Sequence, residues 1–407
     1  MRYTIPAFML LAGVVSLATA QENAVSHVQQ GDTLKAKGDL DGAIAEYREA
    51  LRLKPDYAEA HYNLGPALYQ KGDLDGAFAE LREALRLKPD YAEAHNGLGI
   101  VLLAKGDLNG AIAEYRKALS LKPDYANAHY NLGFVLNQEG DLDGAIAEYR
   151  EALRLKPSLP VAHYDLGLAL YLKGDLDGAI AEYREALRLK PDAEGAHNNL
   201  GLALSQKGDL GEAIGELREA LRLKSDYAEA HNNLGSVLSQ KGDLDEAIGE
   251  LREALRLKPD YANAHYNLGV ALNQKHDWDG AIAELREALR LKPSDAEAHQ
   301  SLGLARYQKG DLDGATAELR EALSLKPDYG QAHYNLGVVL YEEKGALDGA
   351  IAELREALRL KPDYAEAHYI LGLAMTAKGN KAEAAREFAE AQRLDARIKP
   401  PANNQHH

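Results

Sequence analysis

Eleven histidines recur along the chain at an interval of 34 residues, with one step of 35: His27, His61, His95, His129, His163, His197, His231, His265, His299, His333 and His368. Histidine is the commonest metal ligand, so zinc is the first chemistry to test. A zinc ion needs several ligands converging at about 2 Å. Rings delivered once per 34 residues lie a helix pair apart, so the expected state is a packed, hydrogen-bonded histidine and no metal is assigned. The Asp-Leu-Asp-Gly segments, such as Asp73–Gly76, share residues with a calcium loop. They lack its third acidic ligand and closing glutamate and read as helix N-caps. There is no phosphate loop, no dinucleotide fingerprint, no H-E-x-x-H and no cysteine. Asp and Glu are abundant but fall on solvated helix faces. No catalytic residue and no cofactor is therefore assigned, and the chain reads as a non-enzyme.

A second row carries binding chemistry. Two residues after each histidine from His61 onward stand Asn63, Gly97, Asn131, Asp165, Asn199, Asn233, Asn267, Ser301, Asn335 and Ile370. Asn is a mediocre helix former, so its recurrence invites a reason. A carboxamide donates and accepts at once, and a row of them can grip the backbone of an extended peptide without reading its sequence. Beside it run Tyr62, Tyr130, Tyr164, Tyr266, Tyr334 and Tyr369, with an apolar strip of Ile100, Phe134, Leu168, Leu202, Val270 and Leu304. The candidate peptide-binding set is Asn63, Asn131, Asp165, Asn199, Asn233, Asn267 and Asn335 with Tyr62, Tyr130, Tyr164, Tyr266 and Tyr334. The alternative is a set of solvated polar residues shared by descent among duplicated copies, and the sequence leaves both readings open.

The elements that must carry these rows are set by the repeat. Aligned on its proline, the unit PDYAEAHYNLGPALYQKGDLDGAFAELREALRLK of Pro55–Lys88 returns as 21–54, 55–88, 89–122, 123–156, 157–190, 191–224, 225–258, 259–292, 293–326, 327–361 and 362–395. A fixed period of this size marks a solenoid. Each unit reads as two helices. In the first, His61, Leu64, Gly65 and Leu68 form a helical stripe, with Glu59, Asn63, Pro66 and Gln70 nearly opposite. Gly72 suits the left-handed turn and Asp73 the next N-cap. Leu74, Ala77, Phe78, Leu81, Ala84 and Leu85 line the second helix, and Pro89 stops it. Eight units place Gly near the start of that helix, as at Gly42 and Gly76, each costing roughly 0.5–1 kcal/mol relative to Ala with no evident need.

Leu64, Gly65, Leu68, Ala77, Leu81, Ala84 and Pro89 match the tetratricopeptide repeat, which the chain resembles over residues 21–395, with His61 replacing the usual aromatic. The PDYAEAHYNLG wording looks closest to the repeats preceding the catalytic part of O-GlcNAc transferases and their bacterial relatives. The resemblance implies an all-α, right-handed superhelical solenoid of eleven repeats whose first helices line a concave groove. It makes the Asn face the groove face and the Asn row similar to that family's asparagine ladder.

Residues 1–20 read as a signal peptide, with Arg2, an apolar core from Ile5 to Ala18 and a cleavage site at Ala18-Thr19-Ala20, so export to the periplasm or the exterior is expected, without membrane insertion after cleavage. The formal charge is −16, and loss of Arg2 makes it −17. This argues against nucleic acid, which wants basic faces. Gln30 and Asp32 at the start, and Lys381, Ala385 and Gln392 at the end, replace apolar residues as terminal caps would, so both ends read as complete and no enzyme domain is expected downstream. Residues 396–407 are expected to be disordered. Pro66 should kink its helix or remove a backbone bond, Ser225 replaces a stop proline, His276 replaces a turn Gly beside Trp278, and the extra residue of the tenth unit falls within Tyr341–Leu347. The functional expectation is an exported scaffold binding a peptide or protein in its groove, with self-association left open. The alternative is a substrate adaptor for a separate glycosyltransferase or other envelope enzyme.

Overall fold

The computed structural model describes residues 7–343 and 345–399, with the backbone alone for 7–20. The outermost leader residues and most of the expected disordered tail lie outside the described residues.

Among the described residues the chain is entirely helical. The helices are α1 (Ala7–Ala36), α2 (Leu40–Leu53), α3 (Ala58–Gln70), α4 (Leu74–Leu87), α5 (Ala92–Ala104), α6 (Leu108–Leu121), α7 (Ala126–Gln138), α8 (Leu142–Leu155), α9 (Pro160–Leu172), α10 (Leu176–Leu189) and α11 (Glu194–Lys207). They continue with α12 (Leu210–Leu223), α13 (Ala228–Lys241), α14 (Leu244–Leu257), α15 (Ala262–Gln274), α16 (Trp278–Leu291), α17 (Ala296–Gln308), α18 (Leu312–Leu325), α19 (Gly330–Glu342), α20 (Leu347–Leu360), α21 (Ala365–Ala377) and α22 (Lys381–Leu394). Odd helices are the first (A) and even helices the second (B) of each repeat. The chain divides into two units, 1–203 and 204–407. Within each, leaving aside α11, which contains the division, the A helices pack on their own B helices, those B helices on the next A helix, and successive A helices touch.

Small residues set the close fit. Ala60, Ala67, Ala77 and Ala84 have no exposed surface, so the buried stripe is wider than His61, Leu64, Gly65 and Leu68. A Cβ on Gly65 would sit 2.7 Å from Leu81 Cγ, and one on Gly99 would sit 2.5 Å from the Tyr115 ring. The A-helix glycine thus admits a large side chain of its own B helix.

The glycine at the start of the B helix has a cause that sequence reasoning missed. Asp39, Asp73, Asp107, Asp141, Asp175, Asp277 and Asp311 each accept from the glycine N–H three residues on, at 2.8–3.0 Å. A Cβ on those glycines would meet the capping carboxylate at 2.2–2.6 Å. Where Glu212 and Glu246 take the glycine's place, Asp209 and Asp243 make no side-chain cap bond. Glu246 instead accepts from Arg218 at 2.6 Å on the preceding B helix.

Departures from the repeat resolve individually. α3 runs through Pro66 as one helix. Asp32 is no bare cap: it accepts from Tyr47 Oη at 2.7 Å and Asn63 Nδ2 at 3.0 Å. His276 holds φ 63°, where the turn glycines lie at 81–95°. The extra residue of the tenth unit falls in the turn between α19 and α20. Lys381, Ala385 and Gln392 are exposed. α1 passes Ala20–Gln21 without a break, and the buried residues begin at Ala24. No described helix is long and apolar enough to cross a membrane.

Candidate peptide-binding face

The histidines are used by the fold. Nδ1 of ten of them lies 2.5–2.8 Å from a B-helix glutamate, such as His61 to Glu80 and His231 to Glu250. Nε2 donates to the carbonyl six residues back at 2.9–3.1 Å, usually that of the proline and at His231 that of Ser225. Both nitrogens of such a ring face acceptors, which leaves none for a metal. At His61 burial disfavours the cation, but the Glu80 carboxylate and the Pro55 carbonyl outweigh it and raise the pKa. At His231 the Glu250 hydrogen bond outweighs burial to the same effect.

The asparagine and tyrosine rows meet. They stand on consecutive positions of the A helix, and in five places the residue at the Tyr62 position bonds to the residue at the Asn63 position of the next repeat. In the first unit Asn131 Nδ2 donates to Asn96 Oδ1 at 2.9 Å, Tyr130 Oη to Asp165 Oδ2 at 2.8 Å, and Asn199 Nδ2 to Tyr164 Oη at 3.0 Å. In the second, Asn267 Nδ2 donates to Asn232 Oδ1 at 2.9 Å, and the Tyr266 and Ser301 hydroxyls are bonded. Asn96, Asn198 and Asn232 stand where other repeats have tyrosine, and all three are buried. They lie outside the candidate set.

Asn131, Asp165, Asn199, Asn267, Tyr130, Tyr164 and Tyr266 are therefore half-buried rungs between repeats. The rungs leave binding capacity: Asn131 and Asn267 each give one N–H to the neighbour and keep Oδ1 and a second N–H. Asn63 is held by Asp32, and Asn233 Oδ1 accepts from Asn232 Nδ2 at 3.2 Å. Asn335 is buried; its Oδ1 accepts from Gln331, while its Nδ2 has no partner. It lines a cavity of about 270 Å³ with Leu304, Tyr307, Tyr334 and Val338. Tyr62 and Tyr334 make no rung but pack against Tyr91 and Tyr364, centroids 4.7 Å apart and ring planes tilted by 45° and 40°. Burial lifts the Tyr62 phenol to about 12 and pushes the Asp165 carboxyl above the usual range, partly opposed by the Tyr130 hydrogen bond.

The TPR-repeat profile matches residues 31–72, 65–106, 100–138, 135–174, 168–208, 303–343 and 340–379, and a second tetratricopeptide-repeat profile matches 198–262 and 232–296. The chain belongs to the tetratricopeptide-repeat family. Repeats of this family serve as scaffolds for protein and peptide partners. Among solved structures, yeast Tom70 is 20% identical over 92% of both chains with a TM-score of 0.40. YrrB, described as a TPR protein with an unusual peptide-binding site, is 27% identical over 45% of this chain and 95% of its own, with a TM-score of 0.39. MamA is 32% identical over 40% of this chain and 94% of its own, with a TM-score of 0.36. No curated protein sequence matches.

Proposed function

We propose that this tetratricopeptide-repeat protein is an exported, non-enzymatic scaffold that holds an extended segment of a partner protein along its A-helix face. The observation that carries the reading is the spare hydrogen-bonding capacity of Asn131 and Asn267, left by the rungs beside the half-buried strip of Phe134, Leu168 and Val270. Amides placed to pair with a main chain give affinity, and neighbouring apolar pockets give preference. Within each unit, contact between successive A helices supports this face as the inner one. Cleavage after Ala20 would leave Gln21–Ala36 as an A helix with Ala24 and Val28 still in the core, which fits an exported mature chain.

The test selects binding peptides from a displayed random library on purified 21–407 and measures their affinity by fluorescence anisotropy. Asn131→Ala with Asn267→Ala should weaken binding by about tenfold, as loss of one or two hydrogen bonds does. A scrambled version of each peptide should lose in proportion. Affinity unchanged in the folded double variant removes the amides from the site. The N-terminal residue of the protein recovered from an exporting host should be Gln21.

The adaptor reading rests on the repeat wording and the asparagine row. A transferase activity that co-purifies with the chain, and is lost with the same double variant, would favour it.

A further inference from the structure

The repeats contain their own template for an aromatic ligand. In seven of them a tyrosine follows the proline turn, and the lysine three residues earlier lies over its ring, Nζ 4.6–5.1 Å from the centroid. Two of these rings, Tyr91 and Tyr364, also pack against a tyrosine of the preceding A helix at 4.7 Å. The seat for that ring thus has two walls, a lysine ammonium and a tyrosine face.

In the sixth repeat both walls are present and the ring is not. Lys190 stands at the lysine position, Tyr164 at the position of Tyr62, and Ala193 where the tyrosine would be. Of the other tyrosine-free repeats, the first has Asn23 at this position, the fifth Leu159, and the ninth Asp295, whose carboxylate is bonded to Lys292 at 2.8 Å. Nothing fills it at Ala193. The result is a cavity of about 230 Å³ lined by Val161, Tyr164, Lys190, Ala193 and Gly195. A closed cavity of about 150 Å³ suffices for a benzene ring in another protein. Val161 and Gly195 replace residues that are Glu or Asn in several other repeats, and Val161 is 47% exposed. Lys190 is exposed, and its bonds are those of its backbone, to Ala186 and Ala193.

We propose that this cavity is a docking seat for an aromatic side chain, tyrosine or phenylalanine, projecting from the peptide held on the A-helix face of the first unit. The inference rests on the reading above and gives it an anchor. The ring of the partner takes the place of the missing tyrosine, its face against Tyr164 and under the Lys190 ammonium, an attraction that the ring quadrupole supplies. Tyr164 is bonded to Asn199, so the anchor adjoins the amide row.

The test uses N-acetyl-tyrosinamide and N-acetyl-leucinamide as probes in saturation-transfer NMR on the full chain. The tyrosinamide ring protons should receive saturation and the leucinamide side chain should not. Ala193→Tyr restores the repeat's own ring and should abolish the signal with a thermal midpoint at or above that of the parent. Lys190→Gln, at an exposed site, should weaken ring binding by about two- to fivefold with an unchanged circular dichroism spectrum. Equal transfer to leucinamide, or a ring signal that survives in folded Ala193→Tyr, overturns the proposal. If Ala193→Tyr fails to fold, an unchanged affinity in Lys190→Gln overturns it instead. For the selected peptides, loss of affinity in Ala193→Tyr together with indifference to Asn131→Ala and Asn267→Ala keeps the anchor and removes the amide row, and the opposite pattern removes the anchor alone.

Discussion

Asp165 is the one member of the asparagine row that can ionise, and it is held in a half-buried rung with Tyr130. Burial raises its pKa, so the folded state favours the protonated carboxyl. Its contribution is fully favourable below the ordinary carboxylate value and is lost as pH rises through the raised one. Asp165→Asn, which restores the residue of most other repeats, should therefore raise stability at neutral pH, with the gain vanishing in acid; urea midpoints across pH measure this. The histidines give the same sign at a higher window. His61 and His231 have raised pKa values, so their stabilisation is complete below the usual 6.5 and lost as pH rises through the raised values. Urea midpoints should fall between about pH 6 and pH 8, and less so with both changed to Gln. The histidine as a packed, bonded ring was legible from its spacing, but its glutamate partner was not. The histidine and the glutamate are both unchanged in all eleven copies, so no paired substitution marks the contact.

At the scale of the helix, caps and stops were readable because each depends on one residue type: Asp73 at an N-cap, Gly72 in a left-handed turn, Pro89 after the last turn. The glycine three residues after the capping aspartate was not, because its reason is the space the carboxylate needs. The contrast of Glu212 and Glu246 with the glycine repeats was the signal available in the sequence. His276 shows the cost of losing the turn glycine. It sits at φ 63° with its ring 4.9 Å from that of Trp278. A left-handed residue with a Cβ costs about 1–2 kcal/mol, part of which Gly returns as unfolded-state entropy. His276→Gly should stabilise by up to about 1 kcal/mol in chemical denaturation, and Gly310→His should destabilise by a similar amount.

For the chain as a whole, the period alone yielded the helical solenoid, since a two-helix unit must bury its face on neighbours. The joining of the two rows into rungs was hidden for the opposite reason: it depends on how one repeat is set on the next. The 35-residue offset between Asn96 and Asn131, or Tyr130 and Asp165, has no local signature. Stability that is a sum of unit and neighbour terms need not melt at once. Trp278, the single tryptophan, reports on the eighth repeat, and its fluorescence midpoint in urea should differ from the circular dichroism midpoint. Coincident transitions would mean one cooperative block.

The central claim is that a partner lies on the A-helix face. The chain has no cysteine, so single cysteines can be placed cleanly. Leu168→Cys and Val270→Cys report on A helices, and Ala147→Cys and Ala283→Cys on exposed positions of B helices. The measurement is the rate of thiol alkylation of each with and without a saturating selected peptide. Slowing at one or both A-helix cysteines, with none at the B-helix pair, is the predicted result. Slowing confined to Ala147→Cys or Ala283→Cys would place the partner on the other face and contradict the account.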